Sequence, residues 1–282
     1  MDQQHWYTEL ENESYGITIR IDRQIFKADT GIQQIEIFEN RDLGRVLVLD
    51  GCIMLTEKDE AAYHEMLVHP ALLSHPDPQQ ILIIGGGDGG TLREVVKHGE
   101  VKKAVVCEID KAVIENSIKH LPFTAAAFDS PRAEIHIGDG IRYVDDHPGS
   151  FDIIIVDSTD PVGMAEGLFR APFYRSCLKA LKTGGVFVQQ SESPFFEFDS
   201  WRRIFRELGS VFTDVFPYCA GVPMYLSGFW TFAFASTRID PWRFFDKKRA
   251  FQLPELRYYT PQMQQKAFCL PGFAERGINN NA

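Results

Sequence analysis

Short runs of mostly apolar residues recur through the middle of this chain, at 81–84, 104–109, 133–137, 151–156 and 185–190. No other feature limits the possible folds so much. A half-buried strand alternates apolar and polar residues, whereas a run such as Ile81-Leu82-Ile83-Ile84 must be covered on both faces. Helix-compatible segments at 91–98, 111–120 and 173–182 lie between most of the runs. Apolar strands alternating with helices call for a parallel sheet between two helical layers. Two further strand candidates, 214–222 and 229–236, predict an antiparallel hairpin at the sheet edge. A chain of 282 residues with 44% hydrophobic content has material enough for such a core.

Upstream the period changes to two. Ile17, Ile19 and Ile21 alternate with polar residues, as do Ile35 and Ile37, and Val46 and Val48 begin a third run after the turn Asn40-Arg41-Asp42-Leu43-Gly44. Residues 1–56 therefore read as a small antiparallel β-hairpin domain. Thr56-Glu57-Lys58-Asp59 has the form of a capping box, and Tyr63, Met66, Leu67 and Pro70 then share one helical face. Residues 57–282 read as a Rossmann-like, doubly wound α/β domain. The tail Asn279-Asn280-Asn281-Ala282 is expected to fray.

The net charge of −10 argues against nucleic acid as a partner, because phosphates demand basic patches. The start, Met-Asp-Gln-Gln-His-Trp, lacks the basic and apolar regions of a signal peptide, and no apolar run approaches a membrane span. Cysteines at 52, 107, 177, 219 and 269 form no CxxC and no zinc spacing. The expectation is a cytoplasmic protein with no resident metal.

The run 81–84 leads into Gly85-Gly86-Gly87-Asp88-Gly89-Gly90, with a helix expected from Thr91. Strand, glycine loop and helix together form the phosphate- or nucleoside-binding arrangement of open α/β sheets; the loop alone leaves NAD, FAD and sulfonium-nucleotide ligands open. Glu108 ends the next apolar run about 20 residues later, where a carboxylate accepts from ribose hydroxyls. Asp139-Gly140 closes the third run, placing an acceptor for an adenine amino group beside a residue without a side chain.

The run 151–156 delivers Asp157 to the carboxyl edge of the sheet, in Asp157-Ser158-Thr159-Asp160-Pro161. With Asp88 and Asp160, three carboxylates are expected to line one pocket, and such a cluster requires a cation. That cation is either a metal ion or an alkylammonium group. Tyr63 and His64, with Tyr225, Phe229 and Trp230 as candidate aromatic walls, favour a hydrocarbon chain with ammonium ends.

These segments, together with Tyr63-His64-Glu65-Met66, Tyr225-Leu226-Ser227-Gly228, Trp6-Tyr7-Thr8-Glu9 and Leu256-Arg257-Tyr258-Tyr259, resemble the polyamine aminopropyltransferases, bacterial spermidine synthases above all. The likeness spans nearly the whole chain. It implies decarboxylated S-adenosylmethionine as co-substrate, no permanently bound cofactor, putrescine as acceptor, and spermidine and methylthioadenosine as products. It implies that Gln33, Glu108, Asp139, Gly140 and Met164 surround the nucleoside and that Asp88 binds the donor's ammonium. Tyr63, His64, Ser158, Thr159, Asp160 and Tyr225 would line the amine site, and Asp157 would be both ligand and proton acceptor. The segment 158–169 would be a gate, and the assembly a homodimer or homotetramer. Two positions depart from the family pattern: Met164 and Leu226 stand where proline is usual.

The chemistry explains why such residues are needed. An alkylamine resembles lysine, so only about one molecule in a thousand is free base at pH 7, a cost of about 4 kcal/mol. A positioned carboxylate can take the proton as attack proceeds. An S-adenosylmethionine methyltransferase would share the sheet, the glycine loop and Glu108, but its donor's carboxylate would face Asp88 and the Asp157/Asp160 pair at like charge. A polyamine- or nucleoside-binding protein without turnover is a further alternative.

Overall fold

The computed structural model describes residues 5–254 and 256–279; of the tail expected to fray, Asn279 ends a helix and 280–282 lie outside the described residues, as do 1–4. Six strands come first. β1 (His5–Asn12) and β2 (Tyr15–Ile21) form a hairpin of their own. β3 (Arg23–Asp29), β4 (Gln34–Asn40), β5 (Gly44–Leu49) and β6 (Cys52–Thr56) form an antiparallel meander. The period-two alternation is visible in its packing: Ile35 and Ile37 join one buried cluster, while Phe38, Val46 and Val48 join another.

Helix α1 (Glu60–Ser74) follows. The expected capping box is not made. Asp59 is the N-cap residue but makes no capping hydrogen bond; its Oδ1 accepts from the Thr56 hydroxyl at 2.6 Å and its Oδ2 from the Met224 amide at 2.9 Å. The residue ties the helix start to a distant loop instead. Every residue of α1 is buried, so its apolar positions do not mark a single inner face. Pro70 sits inside the helix and cannot donate to the Met66 carbonyl. The Tyr218 hydroxyl supplies that missing hydrogen bond at 3.0 Å.

β7 (Gln80–Gly85), α2 (Gly90–Val95), β8 (Lys103–Glu108), α3 (Lys111–His120), α4 (Pro122–Ala125), β9 (Ala133–Ile137), α5 (Gly140–Asp145), β10 (Phe151–Asp157), α6 (Ala171–Ala180), β11 (Leu181–Gln190), α7 (Phe198–Gly209), β12 (Asp214–Gly221) and β13 (Phe229–Ser236) then build one seven-stranded sheet in the order β12-β13-β11-β10-β7-β8-β9. The five strands β7 to β11 are parallel, and β12 and β13 are the expected antiparallel edge hairpin. Along β7, Ile81 and Ile83 pack with α1 and α2, while Leu82 and Ile84 pack with α6 and α7. A strand apolar at every position is thus buried on both sides. β9 departs from the expected double cover: Ile135 and Ile137 are each 42% exposed. α2 is also shorter than the expected 91–98. Past Val95 the chain turns, and Arg132 takes the His98 carbonyl at 2.8 Å and the Val101 carbonyl at 3.1 Å.

The strand order reverses between β7 and β10, because β7 leads outward to β8 while β10 leads to β11 on the other side. Ligand crevices of open α/β sheets lie at such a point, beyond the carboxyl ends of the strands. Here Asp157 and Gly85 are direct register partners.

Candidate active site

Register alone brings the glycine loop against the acidic loop. Gly85 has φ +79°, and a side chain there would strike the Asp157 carbonyl oxygen at 2.1 Å. The Gly86 amide donates to that same oxygen at 2.9 Å. Glycine is needed here both for its backbone angle and for the closeness of the two strands.

Two adjoining cavities of about 330 and 320 Å³ open over this crevice. They share a wall that includes Tyr63, Ser158, Thr159, Asp160 and Tyr225. The first also takes in the glycine loop, Gln33, Glu108, Asp139, Gly140 and Met164. Every residue singled out from the sequence as a candidate ligand therefore lines one cavity or both. Of the aromatic candidates, Trp230 lines the second cavity, while the Phe229 ring packs edge-on against Phe195 at 5.4 Å.

In the first cavity the acids have partners of their own. Glu108 accepts from the Gly87 and Asp110 amides at 3.2 and 2.9 Å; burial and the neighbouring Asp110 charge push it up to about 7 despite those donors. Gln33 donates to Asp110 at 3.1 Å. Asp139 caps α5 through the Ile141 amide at 2.8 Å. Gly140 is tight: a side chain there would meet Ile84 at 2.4 Å. Met164 is 63% exposed, in the 3-10 turn Gly163–Phe169.

Asp157 lines the first cavity and accepts from the Tyr63 hydroxyl, part of the wall the two cavities share, at 2.8 Å through Oδ1 and from the Thr91 hydroxyl at 2.6 Å through Oδ2. Burial and the Asp88 charge nonetheless raise its pKa, against the opposing influence of His64 and those two hydroxyls. Asp88 behaves in the opposite way. Burial opposes its ionisation, but His64, the Gly90 amide and Arg93 outweigh it and hold the pKa below the usual value. The two carboxylates thus differ in basicity although ligand atoms of His64, Asp88 and Asp157 all lie within 4.8 Å of one another. Tyr225 donates to the Met54 carbonyl at 2.9 Å and turns its ring against Trp230 at 4.7 Å.

The second cavity holds acids that the sequence reading passed over. Glu192, two residues past the end of β11, is 4% exposed with φ +67°. It shares a hydrogen bond with Asp160. Burial, together with the charges of Asp160, Glu197 and Glu11, pushes Glu192 up to about 9, and burial with Glu197 pushes Asp160 to about 6. Glu11 and Glu197 form a second carboxyl pair. Glu192 carried the same signal that found Asp157, an acid just past an apolar strand. Glu9 and Glu11 carried none, because they reach the cavity from β1.

An open α/β sheet with a glycine loop at its switch point, a buried carboxylate at the end of the next strand and a cluster of acids beside it has the arrangement of a nucleotide- or nucleoside-binding α/β protein. The comparisons with known proteins narrow this. Residues 60–246 match the spermine/spermidine synthase domain, and residues 5–57 match the spermidine synthase tetramerisation domain. The polyamine aminopropyltransferase of Desulforudis audaxviator is 45% identical over 268 residues, 95% of this chain and 97% of its own. That of Thermotoga maritima is 46% identical over 281 residues, 98% of this chain and 95% of its own. A crystal structure of spermidine synthase in complex with the transition state analogue AdoDATO superposes with a TM-score of 0.96 at 43% identity, covering 99% of this chain and 97% of that one. The chain belongs to the spermine/spermidine synthase family, and its activity is polyamine aminopropyl transfer. Among the described residues, no helix is long and apolar enough to cross a membrane.

Proposed function

We propose that this chain moves an aminopropyl group from decarboxylated S-adenosylmethionine to putrescine, giving spermidine and methylthioadenosine. The observation that carries this reading is Asp157, held in the first cavity by two hydroxyls, one of them from Tyr63 on the wall shared with a second cavity lined with acids. The nucleoside lies along Gln33, Glu108, Asp139, Gly140 and Met164, and Asp88 receives the donor's ammonium. The diamine enters the second cavity past Ser158, Thr159, Asp160 and Tyr225. Its free amine attacks the carbon beside the sulfonium; the new C–N bond forms as the C–S bond breaks and its electron pair returns to sulfur. The amine's proton passes to Asp157, whose raised pKa suits an acceptor. In-line alignment of nitrogen, carbon and sulfur supplies much of the remaining acceleration. The relative that binds AdoDATO supports this assignment.

Ammonium suits the pocket better than a metal ion. His64 already presents its two ring nitrogens to Glu60 and Asp88, at 2.8 and 3.2 Å, and has no lone pair to spare when both are protonated. Residues 1–56 serve assembly and 57–282 catalysis in this reading, with 158–169 as the gate. Trp6 and Leu10, 54% and 67% exposed on the first hairpin, suit burial in a homo-oligomer. The five free thiols suit the cytoplasm.

The test is product analysis by mass after incubation with decarboxylated S-adenosylmethionine and a panel of putrescine, cadaverine, agmatine and spermidine. Spermidine formed fastest from putrescine is expected. Preference for another amine overturns the acceptor, and no product with any amine overturns the reading.

A further inference from the structure

Glu60 opens α1 and is 2% exposed. A carboxylate so buried requires partners, and two guanidinium groups and an imidazole surround it. Arg93 reaches both of its oxygens, at 2.9 and 2.8 Å, and Arg257 reaches Oε1 at 3.0 Å. The third partner is His64, one turn along the same helix face, with Nδ1 2.8 Å from Oε2.

The other ring nitrogen of His64, Nε2, lies 3.2 Å from Asp88 Oδ1. The ring also packs tightly against the backbone of the glycine loop. A side chain at Gly90 would meet its Cε1, Nε2 and Nδ1 at 2.3 to 2.5 Å, and the Tyr63 ring meets it edge-on at 5.3 Å. Glu60, His64 and Asp88 therefore form a relay of fixed geometry that ends in the first cavity.

We propose that Glu60 is a positioning residue for the aminopropyl donor: through Nδ1 it fixes the His64 ring so that Nε2–H holds Asp88 where the donor's ammonium meets it. The inference rests on the reading of Asp88 as the ammonium site. The charged groups about His64 are Glu60 on α1, Asp88 on the glycine loop and Asp157 on β10, with Arg93 of α2 and Arg257 behind Glu60. Burial opposes the imidazolium, but Asp88 and Glu60 outweigh it and raise the His64 pKa well above its ordinary value. A neutral ring protonated on Nδ1 would turn a lone pair toward Asp88 and release it.

Glu60→Gln keeps the shape and an acceptor for Nδ1–H but removes the charge. The expected result is a rise in donor KM of about tenfold, the scale of losing an outer partner of a ligating group, with amine KM changed less than about twofold. The alkaline limb of donor kcat/KM should move to lower pH. In a His64→Gln background the Glu60 substitution should add nothing. Unchanged donor KM in Glu60→Gln overturns the proposal. So do single effects that simply add with the alkaline limb in place, since that is what bridging Arg93 to Arg257 alone would give. Should the variant not fold, nitrogen NMR of His64 in the unmodified protein decides: both ring nitrogens protonated at pH 7 is expected, and a neutral ring overturns the proposal. Wild-type turnover is the control, and its absence with every amine would fell the functional reading itself.

Discussion

The two cavities are built in opposite ways. The first is largely a backbone structure. Glycines let the β7–α2 loop approach β10, and its acids sit against donors: Glu108 against amides, Asp88 against His64, Asp157 against two hydroxyls. The second is assembled from side chains of β1, the 158–162 loop, the segment after β11 and the Tyr225–Trp230 turn, and there acids sit against acids. The first therefore has its acids held by donors within the fold, whereas in the second burial and like charge push the carboxyl groups toward protonation. In the proposed reading the donor is recognised by shape and the cationic acceptor by charge.

The largest expected effect lies at the acid bonded to the wall the cavities share. Asp157→Asn should lower kcat by about 10²- to 10⁴-fold, the usual worth of a general base, while methylthioadenosine binding measured by calorimetry stays within about threefold. Loss of nucleoside binding in that variant would erase the division between the sites. Next, Glu192→Gln should raise amine KM by about tenfold, the scale of a hydrogen bond to a charged group, and leave donor KM unchanged.

The third effect is the pH dependence of acceptor binding. Glu192 is raised by folding, so its stabilising protonated form is fully present below its unfolded pKa and is lost as pH rises toward about 9. In the ligand-free protein, the thermal midpoint should fall from pH 6 to 9. Putrescine should restore it, with affinity rising by up to about tenfold per pH unit while one proton is displaced. Glu192→Gln should flatten both profiles, and an unaltered slope would show that the acid pair is not where the cation binds. The smallest effect concerns the gate. Met164→Pro, at an exposed position in the first turn of the 3-10 segment, should change stability by less than about 1 kcal/mol in thermal unfolding.

Much of the first cavity was legible beforehand because its parts are local. An apolar run, a glycine cluster and an acid at a strand end follow one another in sequence, and the sheet does the rest. The mistaken capping box shows where such reading ends. Thr56 and Asp59 have the right types and spacing, yet Asp59 finds the Met224 amide, which no local pattern reveals. The short α2 and the exposed β9 have the same origin, since Arg132 and the sheet edge act from outside their own segments.

The sequence by itself determined the strands, the glycine loop and the placing of Asp157 beyond a strand end, because backbone sterics and apolar burial act over a few residues. Tertiary structure alone decided which ionisable groups became neighbours: Glu60 with Arg257, Glu11 with Glu197, Asp160 with Glu192. A group's charge depends on burial and on distances of a few ångströms to residues far away in the chain. Three aspartates could thus be read from the sequence as one acidic site. Only the folded chain could show that Asp88 is held below the usual carboxylate range while burial raises Asp157 and Asp160 above it.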